Sequence, residues 1–201
     1  MRLFLAVELD EAVRLAAGRV ATQLSRALGT HGRANVAWVR PENLHLTILF
    51  LGETPEAAVP PLRQALEAPL ASRPFELRLG GLGAFPPRGP ARVIWLGVVE
   101  GHDRLAAVHR EVEDRLAALG VEREDRPFRA HLTLGRVRGQ LGPRAGSVLS
   151  ETAAAGIPAS VAREVTLFES RLSPSGAIYT ALGRTSLGGA ADSTRPAGKE
   201  R

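Results

Sequence analysis

The 201-residue chain is 44% hydrophobic and 23% charged, enough apolar content for one buried core of domain size. Its net charge of +5 and pI of about 11.0 permit an anionic partner such as nucleic acid, although all but one of the 26 basic residues are arginine, a bias that genome composition also produces. The absence of cysteine excludes disulfides, thiolate catalysis and cysteine-based zinc sites, and no apolar run reaches membrane-span length or forms a signal peptide, so a cytoplasmic, soluble protein is expected.

RLFLAVEL (residues 2–9) reads as a buried strand, and Asp10 stands where a helix would be capped. Val13, Ala17, Val20, Leu24 and Leu28 mark that helix, which Gly29 ends. VAWV (36–39) and LHLTILFLG (44–52) are predicted strands separated by the turn-like RPEN. Thr54 is expected to cap a second helix over 55–70, with Pro60 and Pro61 weakening its first half. FELRLGGLGAF (75–85) and RVIWLGV (92–98) read as strands joined by PPRGP. Leu105, Val108, Val112, Leu116 and Leu119 give the clearest amphipathic helix, over 101–119. A strand at HLTLGRV (131–137), a short helix near 143–155 and closing strands at VTLFES and AIYTAL complete the chain. The polar tail, 188–201, is expected to be disordered.

Helices interrupting pairs of antiparallel strands indicate an α+β fold. The strand bearing a histidine occurs twice, at His45 and His131, 86 positions apart, each after a strand–helix region. A duplicated half-domain explains the repeat.

Alternate side chains of a strand share a face. His45 and Thr47 therefore point one way, and Leu46, Ile48 and Phe50 the other; His131 and Thr133 oppose Leu132 and Leu134. Two imidazoles meeting across a cleft suit phosphodiester chemistry, because a ring titrating near neutrality can serve as base or as acid. One neutral ring takes a proton from water, and one protonated ring supplies a proton to the departing oxygen; spacing does not say which is which. The Thr47 and Thr133 hydroxyls are placed for phosphate oxygens, and no metal is required. A single histidine in a strand is more often a satisfied, partly buried residue; two copies among five histidines shift the balance towards function. His31 lies in a loop, and His102 and His109, on the third helix and too far apart to chelate one metal, are expected at the surface. GGLGAFPPRGP lacks the helix that a phosphate-binding loop needs, and RLSPSGAIY reads as a hairpin turn rather than a nucleophile elbow. Phe50, Phe85, Phe128 and Trp38 are candidates for base stacking, with core packing the commoner use.

HLTI at 45–48 and HLTL at 131–134 resemble the paired motifs of the two-histidine phosphoesterases. WVRPENLHLTILFLGE, RPFRAHLTLGRVR and VTLFESRLSPSGAIYTAL further resemble the bacterial and archaeal RNA 2′,3′-cyclic phosphodiesterases, also called 2′-5′ RNA ligases, over about residues 1–183. The resemblance implies a single bilobal domain over 1–187, with two antiparallel sheets flanking a central cleft in a pseudo-two-fold arrangement. It implies hydrolysis of RNA 2′,3′-cyclic phosphate ends, or small cyclic nucleotides, to 2′-phosphomonoesters without a cofactor. His45 would be the proton donor, His131 the proton acceptor, and Arg136 a phosphate contact. Strict alternation from His131 puts Arg136 on the wrong face, unless a bulge at Gly135 re-aims it or it lies past the strand's end and turns into the cleft. Alternatives are 2′-5′ ligation at the same site and a non-catalytic RNA- or phosphate-binding module; a monomer is expected.

Overall fold

The computed structural model describes residues 1–29, 35–123, 126–174 and 176–188; His31 and all of the tail beyond Gly188 lie outside the described residues. The first strand, β1 (Arg2–Glu8), is buried along its five central residues, as a continuous apolar run demands when both faces of a sheet are covered. Helix α1 (Glu11–Ala27) then lays Val13, Ala17, Val20 and Leu24 on the core. Asp10 precedes it as expected but makes no side-chain cap; its carboxylate instead accepts the Ser160 hydroxyl at 2.8 Å and the Val161 N–H at 3.3 Å.

β2 (Val36–Trp38) and a 3₁₀ turn (Pro41–Asn43) lead into β3 (His45–Glu53). The helix expected over 55–70 is a 3₁₀ turn at Glu56–Ala58 and then α2 (Val59–Ala65), with both prolines in its first turn, where a missing N–H costs nothing. Thr54 caps neither; its hydroxyl bonds the Gly52 carbonyl at 3.3 Å. The hairpin of β4 (Phe75–Phe85) and β5 (Val93–Glu100) precedes α3 (His102–Ala117), which buries Leu105, Val108, Val112 and Leu116. Leu119 falls past the helix and is exposed. β6 (His131–Val137), a short α4 (Ala145–Glu151), an unanticipated β7 (Ser160–Ala162), and the long hairpin of β8 (Glu164–Ser173) and β9 (Gly176–Ser186) complete the order.

The pairing is antiparallel throughout the sheet, in the order β7-β4-β5-β6-β3-β1-β8-β9, with β2 added to β6. The α+β class expected from the sequence therefore holds, with the helices separate from an antiparallel sheet. The hydrogen-bonded path is unbroken, one curled sheet rather than two detached ones. Its narrowest place is the seam between β3 and β6, in register only at Leu46 opposite Leu132. Both leucines are essentially inaccessible and belong to the one large apolar core.

Candidate active site

Antiparallel pairing about Leu46 and Leu132 places His45 across from Thr133 and Thr47 across from His131. The two His–Thr pairs thus make a rectangle on the face opposite the core, with the histidines at diagonal corners. Leu46, Ile48, Leu132 and Leu134 are all buried beneath it, as their alternation predicts.

Both strands then break their alternation at the same point. Against β1, Leu5 pairs with Leu49 and Ala6 with Thr47, so Ile48 is an extra residue on β3. Against β5, Ile94 pairs with Gly135 and Trp95 with Thr133, so Leu134 is extra on β6. Each bulge begins three residues after its histidine and reverses the facing of the residues beyond it. Arg136 is thereby brought into the cleft with His45, Thr47 and Thr133. Phe50, expected in the core with Leu46 and Ile48, is instead 45% exposed and lines the cleft, because two successive buried residues, Ile48 and Leu49, take the inward side.

The histidines are held alike. The His45 ring donates its Nδ1–H to the Asn43 carbonyl at 2.8 Å, and the His131 ring donates its own to the Arg129 carbonyl at 2.7 Å. A carbonyl only accepts, so the proton of each neutral ring sits on Nδ1 and the lone pair on Nε2. Burial pushes both imidazoles below their ordinary value of 6.5; the main-chain bonds work the other way, and the Arg136 guanidinium lowers both further. On His45 alone Glu8 acts to raise the value and His131 to lower it.

The surroundings differ. The Phe4 ring stacks on His45 at 4.8 Å, and Tyr179 meets it edge-on at 5.3 Å. Phe85 meets His131 edge-on at 5.1 Å. A cavity of 550 Å³ opens over His45, bounded by Arg2, Asn43, Arg136 and Tyr179. A second, of 840 Å³, opens beside His131 between Phe85 and Phe128, with Arg92, Arg126 and Arg129 at its walls. Thr47 and Phe50 border both. The Arg2 guanidinium lies 5.1 Å from the centre of the Phe50 ring.

Sequence reasoning missed Phe4, Glu8 and Tyr179, which lie in strands read only as core, and it took Asn43 for a turn residue. Asn43 supplies its carbonyl to His45 and its side-chain amide to the Ala177 carbonyl at 2.8 Å, tying the motif to β9. Phe50, Phe85 and Phe128 line the cleft, and Phe128 also packs against the core. Of the histidines expected at the surface, His102 is exposed, whereas His109 is 6% exposed, its Nδ1 lying 3.4 Å from Glu113 and its ring stacked on Phe128 at 4.5 Å. An i,i+4 carboxylate and an aromatic lid let an imidazole be buried where helical periodicity reads a polar position. Among the described residues no group of three or more His, Cys, Asp and Glu is arranged to hold a metal, and no helix is long and apolar enough to cross a membrane.

Residues 6–166 match the model of the 2′-5′ RNA ligase superfamily. The chain belongs to this superfamily. Its relatives include an RNA 2′,3′-cyclic phosphodiesterase of Thermus thermophilus, 39% identical over 94% of this chain and 91% of the relative. Another protein of that name, from Archaeoglobus fulgidus, is 36% identical over 90% and 98%. Among solved structures, TT0787 of Thermus thermophilus superposes with a TM-score of 0.69 at 30% identity, covering 93% of this chain and 98% of that one. LigT of E. coli, complexed with NADP+, superposes with a TM-score of 0.65 at 26% identity, covering 92% and 96%. In this superfamily member the paired motifs, the bulges and the cleft all fall in or beside the matched region.

Proposed function

We propose that the protein hydrolyses RNA 2′,3′-cyclic phosphate ends to 2′-phosphomonoesters, with His131 as base and His45 as acid. The carrying observation is the diagonal pair of imidazoles, each locked through Nδ1 and presenting Nε2 to one face. Water attacks the phosphorus while His131 Nε2 takes its proton. The bond from phosphorus to the 3′ oxygen breaks, and the Nε2–H of His45 protonates that oxygen. Thr47, Thr133 and Arg136 hold the non-bridging oxygens and balance the charge that gathers on them. The relatives' names, RNA 2′,3′-cyclic phosphodiesterase, support the substrate class, as does an E. coli LigT structure with 3′-AMP.

The strand order supports an approximate two-fold duplication. From the seam outwards, β3-β1-β8-β9 corresponds to β6-β5-β4-β7, with α1 matching α3 and the two bulges matching each other. On this reading the lobes form a single domain over 1–187, working as a cytoplasmic monomer, and Phe50 is the counterpart of Arg136. Phe50 serves as a stacking surface for the nucleobase beside the cyclic phosphate, since a ring face suits any base.

The test is turnover of an oligonucleotide ending in a 2′,3′-cyclic phosphate, with chelator present. Wild-type protein should release the 2′-phosphate end, and His45→Ala and His131→Ala should each lose about 10²–10⁴-fold in kcat. Absence of wild-type turnover, or full activity in both variants, overturns the reading. The 840 Å³ opening beside His131 favours a second outcome at the same site, in which a 5′-hydroxyl end replaces water and a 2′-5′ linkage forms. Product partition at rising RNA concentration measures its share.

A further inference from the structure

The two halves of the site are unequal at one position. In the β1–β3 ladder Glu8 stands opposite His45; in the β5–β6 ladder the residue opposite His131 is Gly97. Both partners lie on their neighbour's strand in the register that points side chains to the same face. Counting outwards from Leu46 and Leu132, Glu8 and Gly97 are therefore equivalent positions, one carrying a carboxylate and the other no side chain. Gly97 leaves no room for one, since a Cβ there would come within 2.8 Å of the Gly80 carbonyl oxygen. We propose that Glu8 is a positioning residue that assigns the roles of the two histidines, its negative charge holding the proton on His45 so that His45 is the acid and His131 the base.

Glu8 is itself fixed in place. Its Oε2 accepts from the Thr166 hydroxyl at 3.4 Å and pairs with Arg184 at 3.5 Å, and Arg184 is shared with Glu164 at 3.0 Å. The charged and titratable groups acting on His45 are Glu8 from β1, Arg136 and His131 from β6, with Tyr179 from β9 against its ring. Arg136 disfavours protonation of both histidines. Glu8 acts on His45 in the opposite direction, against burial, Arg136 and His131, and no carboxylate acts on His131 in the same way. The Glu8 side chain is 40% exposed, so solvent screens the effect.

The proposal rests on the two-histidine reading above, and its test separates the two. Histidine-labelled protein is titrated by NMR, with the His45 and His131 signals assigned from the two alanine variants. Glu8→Gln keeps the shape and hydrogen-bonding capacity but removes the charge. It should lower the His45 midpoint by about half a unit, leave that of His131 in place, and reduce kcat/KM about threefold on the alkaline side of the profile. Arg184→Gln, which removes the cation competing for Glu8, should move His45 the other way, and Glu8→Asp should restore most of the wild-type midpoint. An unmoved His45 midpoint in folded Glu8→Gln overturns the proposal while leaving the hydrolase intact. Movement of His131 instead reverses the roles. Absence of wild-type turnover refutes the underlying reading, whatever the titration shows.

Discussion

Each of the two motif imidazoles spends one nitrogen on the carbonyl two residues before it, so the ring is aimed by main chain that a side-chain substitution elsewhere barely disturbs. Burial lowers both rings below the ordinary histidine value and so favours the neutral form, which suits a base and works against an acid. This burial dictates the pH dependence. The base works above its depressed value and the acid below its own, so kcat/KM should be bell-shaped with its maximum on the acid side of 6.5, the ordinary histidine value. Bound substrate carries a negative charge that favours protonated histidine, and the kcat profile should therefore lie at higher pH than that of kcat/KM. Initial rates between pH 4.5 and 9, as about ten steps, check both; a flat profile would remove the pair as acid and base. Phe50 gives a separate residue-scale outcome. Phe50→Ala takes away the proposed stacking surface, worth about 1–3 kcal/mol per base, so KM should rise about tenfold while kcat changes little. An unchanged KM for small cyclic nucleotides would place the base elsewhere.

The elements that position these groups were legible to different degrees, for physical reasons. HLTI and HLTL were readable because strand period and a repeated polar pair are local properties. A bulge belongs to two strands at once, through which residue faces which across the ladder, so Ile48 left no mark in the sequence and Phe50 was assigned to the wrong face. Gly135 left half a mark: a glycine inside a strand hinted at the irregularity that turns Arg136 into the cleft. The same glycine has a second duty that sequence alone could not show. A Cβ at Gly135 would come within 2.6 Å of Val36 Cγ1 and 3.1 Å of the Trp38 ring, because β2 packs directly across it. Gly135→Ala should therefore cost about 1–3 kcal/mol by overpacking and lower activity as well, since any retreat of β6 carries Arg136 with it. Urea unfolding and kcat/KM on one preparation decide this; an unchanged midpoint would mean that β2 yields freely.

At the scale of the molecule, the site lies where the sheet is least tied to itself. β3 and β6 share one pair in register, while β1, β5 and their neighbours are paired over long ladders. The expectation was two sheets, whereas the strands form one continuous path through this seam, and a single pair joining distant segments has no sequence signature. Other links cross between the halves, among them the Asp10 carboxylate from the start of α1 to Ser160 and Val161 of β7. The seam also sets a pH cost. Both histidines have lower values folded than the ordinary 6.5 of an unfolded chain, so near and below that pH the unfolded state binds more protons than the native one. Stability must then rise with pH through this window and fall as pH is lowered through it. The double variant His45→Asn with His131→Asn has no imidazole to protonate at the seam, and its unfolding free energy should decline less between pH 7 and about pH 5 than that of the wild type. Denaturant midpoints at each pH measure the difference. An equal decline in both proteins would show that the histidines do not carry it, and that their burial is relieved in the folded state before either ring takes its proton.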